Sequence, residues 1–330
     1  MIDAQRPAPP QGGFSARRLI GIDDLSDGDV DYILRLAEYY AGYLRRSAPA
    51  PARLRGKTQI NLFFEDSTRT NLSFELAGKR LGADVINVPV SASSVHKGES
   101  LVDTAQTMAA MGADVMIVRA KEEGLHEALD ARLDCAVVNG GAGAREHPTQ
   151  ALLDAATARS AFGGLEGRIV AICGDVRHSR VAGSNARLLR RLGAEVRFVG
   201  PARLAPPDDQ FTDIERFDTL KDGLAGADIV MGLRMQFERM GAEFGETTGE
   251  ALRDEESSRR YFREFGLTHE TLRYAAPHAK VMHPGPMNRG VEIDGALADD
   301  PDRSLVLRQV FYGVATRMAA LDALLAGDAD

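Results

Sequence analysis

The sequence predicts an α/β protein of two domains. Each domain is a mostly parallel sheet flanked by helices, and a C-terminal helix packs back on the first domain. Short apolar runs of strand length are followed by segments with helical periodicity, which is typical of parallel sheets. The length of 330 residues suits two domains. Residues 167–200 have the strand–helix–strand order of a mononucleotide-type unit.

Composition excludes several classes of function. A net charge of −8 and a pI near 5.5 argue against general binding to nucleic acid or to an anionic membrane. An anionic ligand must therefore be met by a local cluster of arginines. No apolar run approaches membrane-spanning length and no secretory segment begins the chain, so we expect a cytoplasmic protein.

The two cysteines do not suggest a bond or a metal site. Cys135 and Cys173 both lie in apolar, strand-like runs, and two buried thiols suit a reducing cytoplasm. A disulfide or a metal pair is the less favoured alternative, because no C-x-x-C or H-x-x-x-H spacing is present. We predict no metal and no cofactor.

The first domain is predicted to span residues 16–150, after a proline- and glycine-rich arm at residues 1–15 that we expect to be disordered. Apolar residues at helical spacing predict a helix over residues 31–46. The C-terminal helix, at about residues 303–326, is expected to complete this domain.

A strand and a helix surround the segment Ser67-Thr68-Arg69-Thr70. Residues 60–64 form a short apolar run, and Leu72 and Leu76 lie four apart in the segment that follows. Backbone N–H groups and the helix dipole gather around an anion at such a junction. An ordinary N-cap beside a solvated arginine is the alternative. Three hydroxyls and a guanidinium exceed what a cap needs, so we predict a phosphate site.

Further polar residues follow predicted strands of the first domain. The loop at residues 89–100 carries Ser93 and Lys97, although such a loop could simply be solvated. Arg119 directly follows the apolar run 114–118, which favours the ligand crevice over the surface. After strand 135–138 and a flexible link at 139–143, His147 and Gln150 lie one turn apart at a helix start. A histidine that merely caps this helix is the alternative.

The second domain, residues 151–302, supplies further cations. Its first turn carries no G-x-G-x-x-G, so a dinucleotide site is disfavoured, and Arg180 instead begins the helix. Arg234 and Gln236 follow strand 228–231. Residues 237–263 could form a lid or a plain surface insertion. After strand 280–282 comes His283-Pro284-Gly285-Pro286, in which the Gly285–Pro286 bond could be cis.

These positive groups indicate a ligand with several negative charges. The sequence has no serine elbow, no Cys/His pair and no paired carboxylates placed as nucleophile and acid. The chemistry that remains is a transfer between two bound anions, catalysed by orientation and electrostatics. The candidate residues at element ends are Arg69, Lys97, Arg119, Arg180, Arg234, His147 and Gln150.

The residues resemble the aspartate/ornithine carbamoyltransferase family. The segment from Ser67 to Glu75 is similar to the family's phosphate loop, and His147-Pro-Thr-Gln150 to its second signature, with Arg119 between them. The similarity extends from about Arg18 to about Leu325. The His-Pro-Gly-Pro turn, the Lys97-Gly-Glu-Ser loop and the cation at Arg234 favour the branch that uses aspartate.

The resemblance implies a role for each candidate residue. Ser67, Thr68, Arg69 and Thr70 hold the phosphate of carbamoyl phosphate, and Arg119 bridges the phosphate and the carbonyl oxygen. Thr70, Arg119 and His147 polarise the carbonyl. Gln150 and the turn at Gly285 and Pro286, through the carbonyls near Pro284 and Gly285, orient the NH₂ group. Arg180 and Arg234, with Gln236 behind, bind the two carboxylates of aspartate.

The resemblance also implies an assembly. We expect a homotrimer with shared active sites, in which Ser93 and Lys97 reach the phosphate site of a neighbouring subunit and Lys97 also meets aspartate. A regulatory chain or a dihydroorotase-like partner could bind this trimer. The expected reaction is the committed step of pyrimidine (UMP) synthesis. A carbamoyltransferase for another amino acid, such as ornithine, and a non-catalytic structural homologue remain the alternatives.

Overall fold

The computed structural model describes residues 5–88, 99–143, 145–207, 209–236 and 255–326. The chain forms two compact units. Met1–Ala156 and Val310–Asp330 form the first unit, and Thr157–Gln309 forms the second. The sequence analysis had divided the chain at residues 150 and 302.

Ten helices and nine strands are found within the described ranges. The helices are α1 (Asp27–Arg45), α2 (Thr68–Arg80), α3 (Leu101–Ala109), α4 (Leu125–Asp130), α5 (Pro148–Phe162), α6 (Arg180–Arg191), α7 (Leu220–Gly223), α8 (Glu255–Phe265), α9 (Gly295–Ala298) and α10 (Val306–Leu325). The strands are β1 (Thr58–Phe63), β2 (Asp84–Val88), β3 (Val115–Ala120), β4 (Ala136–Ala142), β5 (Ile169–Cys173), β6 (Glu195–Val199), β7 (Glu215–Phe217), β8 (Ile229–Gly232) and β9 (Lys280–Met282). Short 3₁₀ turns lie at Ile22–Asp24, Ala202–Leu204 and Thr271–Tyr274.

Each unit contains one parallel sheet, as predicted. The first sheet has the strand order β2-β1-β3-β4 and the second β7-β6-β5-β8-β9. All pairings between these strands are parallel. In both sheets the order reverses beside the first strand, and at such a switch point the carboxyl ends of the strands open a crevice for ligands.

The apolar runs noted in the sequence form the interior of each unit. In the first unit Leu62, Met116 and Val118 belong to one buried cluster. In the second unit Ala171, Val230 and Val281, from three neighbouring strands, belong to another. Burial on both faces of a sheet explains why these strands are continuously apolar.

Helix α10 packs on the first unit, which confirms the prediction for the C-terminal helix. Asp322 is fully buried and accepts a hydrogen bond from the Tyr40 hydroxyl at 2.7 Å. Its carboxylate also lies 3.2 Å from Nε of Arg53 and 3.2 Å from Nε of Arg6. A buried carboxylate needs such partners because an unpaired one would be strongly unfavourable.

Residues 5–15, predicted as part of a disordered arm, make specific contacts instead. Arg6 pairs with Asp322, and the backbone N–H and hydroxyl of Ser15 both donate to Asp29. Composition alone suggested disorder because these charged and polar partners are distant in sequence. Residues 1–4 of the predicted arm lie outside the described residues.

Two boundaries differ from the prediction. Arg119 lies inside β3 and does not follow it. Residues 139–142, predicted as a flexible link, form the end of β4, where pairing with β3 carries small residues into the sheet. The sequence predicted a link there because glycines are uncommon within strands. Among the described helices, none is both long and apolar enough to cross a membrane.

Candidate active site

The predicted phosphate loop connects the carboxyl end of β1 to the first turn of α2. Ser67 precedes the helix with φ of −159° and ψ of 85°, and its side chain caps no helix N–H. The first turn contains no acidic residue, whereas Lys79 and Arg80 occupy the last turn. The N–H groups of the first turn and the positive end of the dipole therefore face a position suited to an anion.

The four side chains of this segment differ in exposure. Thr70 is buried, Ser67 is half-buried, and Thr68 and Arg69 are exposed. The Arg69 side chain is not part of the core, and the Arg69 carbonyl accepts a hydrogen bond from the Ser73 hydroxyl at 2.7 Å. A surface cation beside three hydroxyls at a helix start is an arrangement that a phosphate group can engage with several donors at once.

Helix α2 packs closely against β1, the strand that precedes it in the chain. A Cβ atom added to Gly78 would lie 2.1 Å from Oε1 of Gln59, so only glycine allows this approach. Nε2 of Gln59 donates to the Phe74 carbonyl at 3.0 Å. The Arg317 guanidinium of α10 lies 4.9 Å from the centre of the Phe74 ring. These contacts fix the direction in which the phosphate loop points.

Arg119 lies at an irregularity between β3 and β4. The pairing shifts between Val118, opposite Asn139, and Ala120, opposite Ala142, so β4 carries one extra residue at this point. Such bulges re-aim side chains and are common beside active sites. The Arg119 side chain donates to the Gly140 carbonyl at 3.2 Å, and its Nε lies 3.4 Å from Oε2 of Glu65.

His147 is brought to the same edge of the sheet by the loop after β4. Asn139 is fully buried, donates to the carbonyls of Ile20 and Glu146, and accepts the N–H of Gly141 at 2.6 Å. The His147 carbonyl accepts the N–H of Gln150 at 2.9 Å, which begins α5. His147 is therefore both a helix cap, as the alternative had it, and a buried side chain beside the carboxyl ends of the strands.

A buried carboxylate supports Gln150. Nε2 of Gln150 donates to Oδ1 of Asp154 at 2.9 Å, and Asp154 is fully buried. The charge of Arg317 is attracted by that of Asp154 and repelled by that of Arg119. Burial lowers the pKa of Arg317 to about 9, against the opposing effect of the Asp154 charge. At neutral pH it remains a buried cation that balances Asp154.

In the second unit, Arg180 is the first residue of α6 and is 6% exposed. The turn before it is fixed by Asp175, which is fully buried and accepts from Nδ1 of His178 at 2.8 Å. The other carboxylate oxygen of Asp175 lies 3.4 Å from the backbone N of Gln236. Asp175 thereby connects the turn after β5 to the segment after β8.

Arg234 and Gln236 follow β8, and both are half-buried. Because β5 and β8 are neighbours in the sheet, their carboxyl ends bring the Arg180 and Arg234 segments to one edge. Two guanidinium groups on adjacent segments suit a ligand with two carboxylates.

The turn after β9 lies beside the same strand, β8. Its Gly285–Pro286 bond is cis, as the sequence allowed, and Gly285 has φ of +67°, a conformation that favours glycine. Gly285 is half-buried and Pro286 is exposed.

The structure thus groups the predicted residues by unit. The carboxyl ends of β1, β3 and β4 carry the residues of the first unit, namely Ser67 to Thr70, Arg119, His147 and Gln150. The segments after β5, β8 and β9 carry the residues of the second unit, namely Arg180, Arg234, Gln236, Gly285 and Pro286. Ser93, Lys97 and most of the predicted lid lie outside the described residues. Sequence reasoning missed three buried charged residues that contact these groups or their turns, namely Asp154, Asp175 and Arg317, and also Glu292, whose carboxylate lies 3.3 Å from the His283 ring. An acidic residue two positions after a strand was a usable signal for Asp175 alone.

A metal site and a cysteine-based site are the two other kinds of site considered for the described residues. In these ranges no group of three or more His, Cys, Asp or Glu side chains is arranged to hold a metal ion. Cys173 is buried and Cys135 half-buried, both are free thiols, and burial raises the pKa of each.

Comparison with known proteins gives the family. Residues 17–160 match the model of the aspartate/ornithine carbamoyltransferase carbamoyl-P binding domain, and residues 166–324 match that of the Asp/Orn binding domain. The chain belongs to the aspartate/ornithine carbamoyltransferase family. The two matches divide the chain near the boundary between the units at residue 156, whereas residues 310–324 are matched by the second family model and belong to the first unit.

Two similar relatives carry the same name. An aspartate carbamoyltransferase catalytic subunit from Parvibaculum lavamentivorans is 52% identical over 324 residues, which cover 98% of this chain and 95% of the relative. Another from Bradyrhizobium diazoefficiens is 54% identical over 308 residues, which cover 93% and 94% of the two chains.

Solved structures of the family are also similar. Aspartate transcarbamoylase from Trypanosoma cruzi, in complex with carbamoyl phosphate and aspartate, superposes with a TM-score of 0.85 at 28% identity over 97% of this chain and 100% of that chain. The same enzyme with N-(phosphonacetyl)-L-aspartic acid gives a TM-score of 0.83 at 29% identity over 98% and 99% of the chains.

Proposed function

We propose that the protein transfers the carbamoyl group of carbamoyl phosphate to the amine of L-aspartate, which yields N-carbamoyl-L-aspartate and phosphate. The observation that carries the proposal is the acid-free first turn of α2, which presents Ser67 to Thr70 beside Arg119. The relatives at 52% and 54% identity are named for this reaction. The reaction commits carbon to pyrimidine (UMP) synthesis.

Residues of the first unit bind and activate carbamoyl phosphate in this proposal. The N–H groups and hydroxyls of the phosphate loop, with Arg69, hold the phosphate. Arg119 bridges the phosphate and the carbonyl oxygen. Thr70 and His147 join Arg119 in stabilising the negative charge that develops on this oxygen during attack. The buried position of Thr70 and His147 strengthens these interactions because water is excluded around them.

Residues of the second unit bind the amino acid. Arg180 and Arg234 each take one carboxylate of aspartate, and Gln236 lies behind them. A planar guanidinium matches a carboxylate with two parallel hydrogen bonds, which fixes direction as well as position. An ornithine side chain ends in an ammonium group, which would meet these cations unfavourably, and this disfavours the ornithine alternative.

The chemical step needs no dedicated protein base. The amine nitrogen forms a bond to the carbonyl carbon, the bond from that carbon to the phosphate oxygen breaks, and the departing phosphate accepts a proton of the amine. Gln150 and the carbonyls of Pro284 and Gly285 orient the carbamoyl NH₂ group. Most of the rate acceleration then comes from orientation and from preorganised charge.

We propose further that the enzyme is a cytoplasmic homotrimer. Ser93 and Lys97 of one subunit complete the phosphate site of the next, and Lys97 also meets aspartate. Several cations around one phosphate repel each other until the ligand is bound, so a residue supplied by a neighbour makes the complete site conditional on assembly. A regulatory chain or a dihydroorotase-like partner is a candidate for binding this trimer.

Steady-state kinetics with a panel of amino acids tests the proposed reaction. With carbamoyl phosphate held constant, L-aspartate should support phosphate release, whereas L-ornithine and N-acetyl-L-ornithine should not. Turnover with ornithine but not with aspartate would assign the chain to the other branch of the family. Absence of turnover with every amine would favour a non-catalytic protein.

A further inference from the structure

Two almost completely buried ionisable side chains lie beside the turn that follows β9. His283 is 1% exposed and Glu292 is 2% exposed. The backbone N–H of His283 donates to Oε1 of Gln309 at 2.8 Å, which fixes the start of the turn. Nothing in the proposed chemistry uses either side chain, although both lie next to the proposed acceptors of the carbamoyl NH₂ group.

Both ring nitrogens of His283 face defined neighbours. Nδ1 accepts the N–H of Gly285 at 2.8 Å. Nε2 lies 3.3 Å from Oε1 of Glu292, and the same carboxylate oxygen accepts the N–H of Asn288. A nitrogen that accepts a hydrogen bond carries no proton, so the proton of the neutral ring is on Nε2 and faces the carboxylate. The ring is buried, Nδ1 is hydrogen-bonded, and Nε2 lies 3.3 Å from the Glu292 carboxylate without an aligned hydrogen bond, so His283 is not placed to exchange protons with a substrate.

The hydrogen bond from the Gly285 N–H to Nδ1 fixes the orientation of the peptide plane between Pro284 and Gly285. Of the peptide bonds in this turn, Gly285–Pro286 is cis, whereas Pro284–Gly285 is trans. In a planar trans peptide the N–H and the preceding carbonyl point in opposite directions. Because the Gly285 N–H points at the His283 ring, the Pro284 carbonyl points away from the ring. The plane cannot turn over without breaking the contact at Nδ1.

We propose that His283, held by Glu292, is a positioning residue that aims the Pro284 carbonyl at the NH₂ group of carbamoyl phosphate. This inference rests on the proposed function and specifies what holds one of its acceptors. Glu292 fixes the ring tautomer, the ring fixes the Gly285 N–H, and the peptide plane fixes the carbonyl. The chain thereby recognises the feature that separates a carbamoyl group from an acetyl group.

Two substitutions of His283 separate the role of Nδ1 from simple packing. In His283→Asn, Oδ1 stands about where Nδ1 stood and can still accept the Gly285 N–H, while the contact to Glu292 is lost. In His283→Leu, similar volume remains but no acceptor does. His269→Leu is the matched control, since it removes another histidine of the second unit that lies against a carboxylate, 2.7 Å from Asp300.

The measurement compares the affinity for carbamoyl phosphate with that for acetyl phosphate, in which a methyl group replaces the NH₂ group, and with that for inorganic phosphate. We expect wild type and His269→Leu to prefer carbamoyl phosphate. His283→Leu should reduce this preference about tenfold, the effect of one hydrogen bond to a well-placed acceptor. Its affinity for inorganic phosphate should not change, and His283→Asn should retain most of the preference.

Two results would overturn the proposal. An unchanged preference in folded His283→Leu would show that the Pro284 carbonyl is not held by the ring. An equal loss of affinity for all three phosphates would show that the substitution only disturbs the structure.

Nitrogen-15 NMR of the labelled His283 ring in the wild-type protein tests the first step without a substitution. We expect the tautomer with its proton on Nε2, and a proton on Nδ1 would contradict the inference. This spectrum needs no turnover, so it separates a failure of the positioning role from a failure of the proposed carbamoyl transfer, which the amino acid panel tests.

Discussion

Arg69 and Arg234 are proposed to bind different substrates from different units of the chain. Arg69 is exposed at the start of α2, and Arg234 is half-buried two residues after β8. Neither position has the packing of a core residue, so truncation should affect ligands more than folding. Substitution of each arginine therefore tests one half of the proposed reaction.

Replacement of Arg69 by alanine should lower kcat by at least about 100-fold, because a preorganised cation at the developing phosphate charge is lost. The melting temperature should stay within a few degrees of wild type, since surface substitutions cost little stability. Arg80→Ala is the control, because Arg80 is an exposed arginine in the last turn of the same helix. A near-normal rate in Arg69→Ala would remove the phosphate site from the proposed mechanism.

Replacement of Arg234 by alanine should raise the KM for aspartate about 10- to 100-fold and lower kcat, since charge-assisted hydrogen bonds to one carboxylate are lost. The affinity for carbamoyl phosphate should change little. Arg273→Ala, at an exposed arginine of the same unit, serves as the control. A collapse in carbamoyl phosphate affinity would instead assign Arg234 to the other substrate.

Residues that face ligands were easier to predict than the residues that support them. Arg180 and His147 stand at helix starts, and this position is visible in the sequence. Asp154 and Arg317 stand in the middle of helices, where a charged residue normally faces solvent. Their burial results from packing between α5, α10 and α2, which no local pattern specifies. Glu292 was missed because it lies in a turn, where a charged residue is normally exposed, whereas its side chain is buried beside His283.

At the scale of elements, stabilising residues and proposed ligand-binding residues lie at opposite ends of the strands in the second sheet. The proposed ligand residues follow the carboxyl ends of the strands. At the amino ends of β5 and β8, Asp228 accepts the Ile169 N–H at 2.9 Å, Arg168 at 2.8 Å and His278 at 2.6 Å. Asp228 therefore holds strands together on the edge opposite the proposed aspartate residues, so the two kinds of effect should separate on mutation.

Burial raises the pKa of Asp228, but its hydrogen bonds with Ile169, His278 and Arg168 outweigh this and hold the pKa below the ordinary value. The unfolded chain therefore binds this proton more readily, and the stability that Asp228 contributes is present above about pH 4 and is lost as pH falls below it. Asp228→Asn should cost about 1–3 kcal/mol at pH 7.

Urea unfolding of wild type and Asp228→Asn between about pH 3 and 7 measures this prediction. The difference in unfolding free energy between the two proteins should shrink toward low pH, and the KM for aspartate should be unchanged at pH 7. A difference that is constant over the pH range would show that the ionised carboxylate is not the stabilising species.

The order and type of the main elements were predictable because strands buried on both faces are continuously apolar and helices show their own period. The extra residue of β4 opposite Arg119 was not, because Asn139, Gly140 and Gly141 have the composition of a loop. Their place in the sheet depends on pairing with β3 and on the hydrogen bonds of Asn139, both of which are tertiary. This irregularity is also what directs Arg119.

At the scale of the whole molecule, the proposed trimer predicts complementation between inactive chains. Chains with Lys97→Ala and chains with Arg69→Ala should each be inactive, yet activity should return after the two are mixed, dissociated and reassembled. Some hybrid sites then receive Arg69 from one chain and Lys97 from the next. Inactive hybrid trimers, verified by native mass spectrometry, would show that Lys97 acts within its own chain.

The central claim is carbamoyl transfer to aspartate, and the fate of a labelled carbonyl carbon tests it most directly. The protein is incubated with carbamoyl phosphate that carries carbon-13 and with L-aspartate, and the products are followed by NMR. We predict that the label appears in N-carbamoyl-L-aspartate, with one phosphate released for each carbamoyl group transferred, and that Arg69→Ala slows this by at least about 100-fold. Label that accumulates only in carbonate, or that reaches L-ornithine in preference to aspartate, would contradict the proposed function.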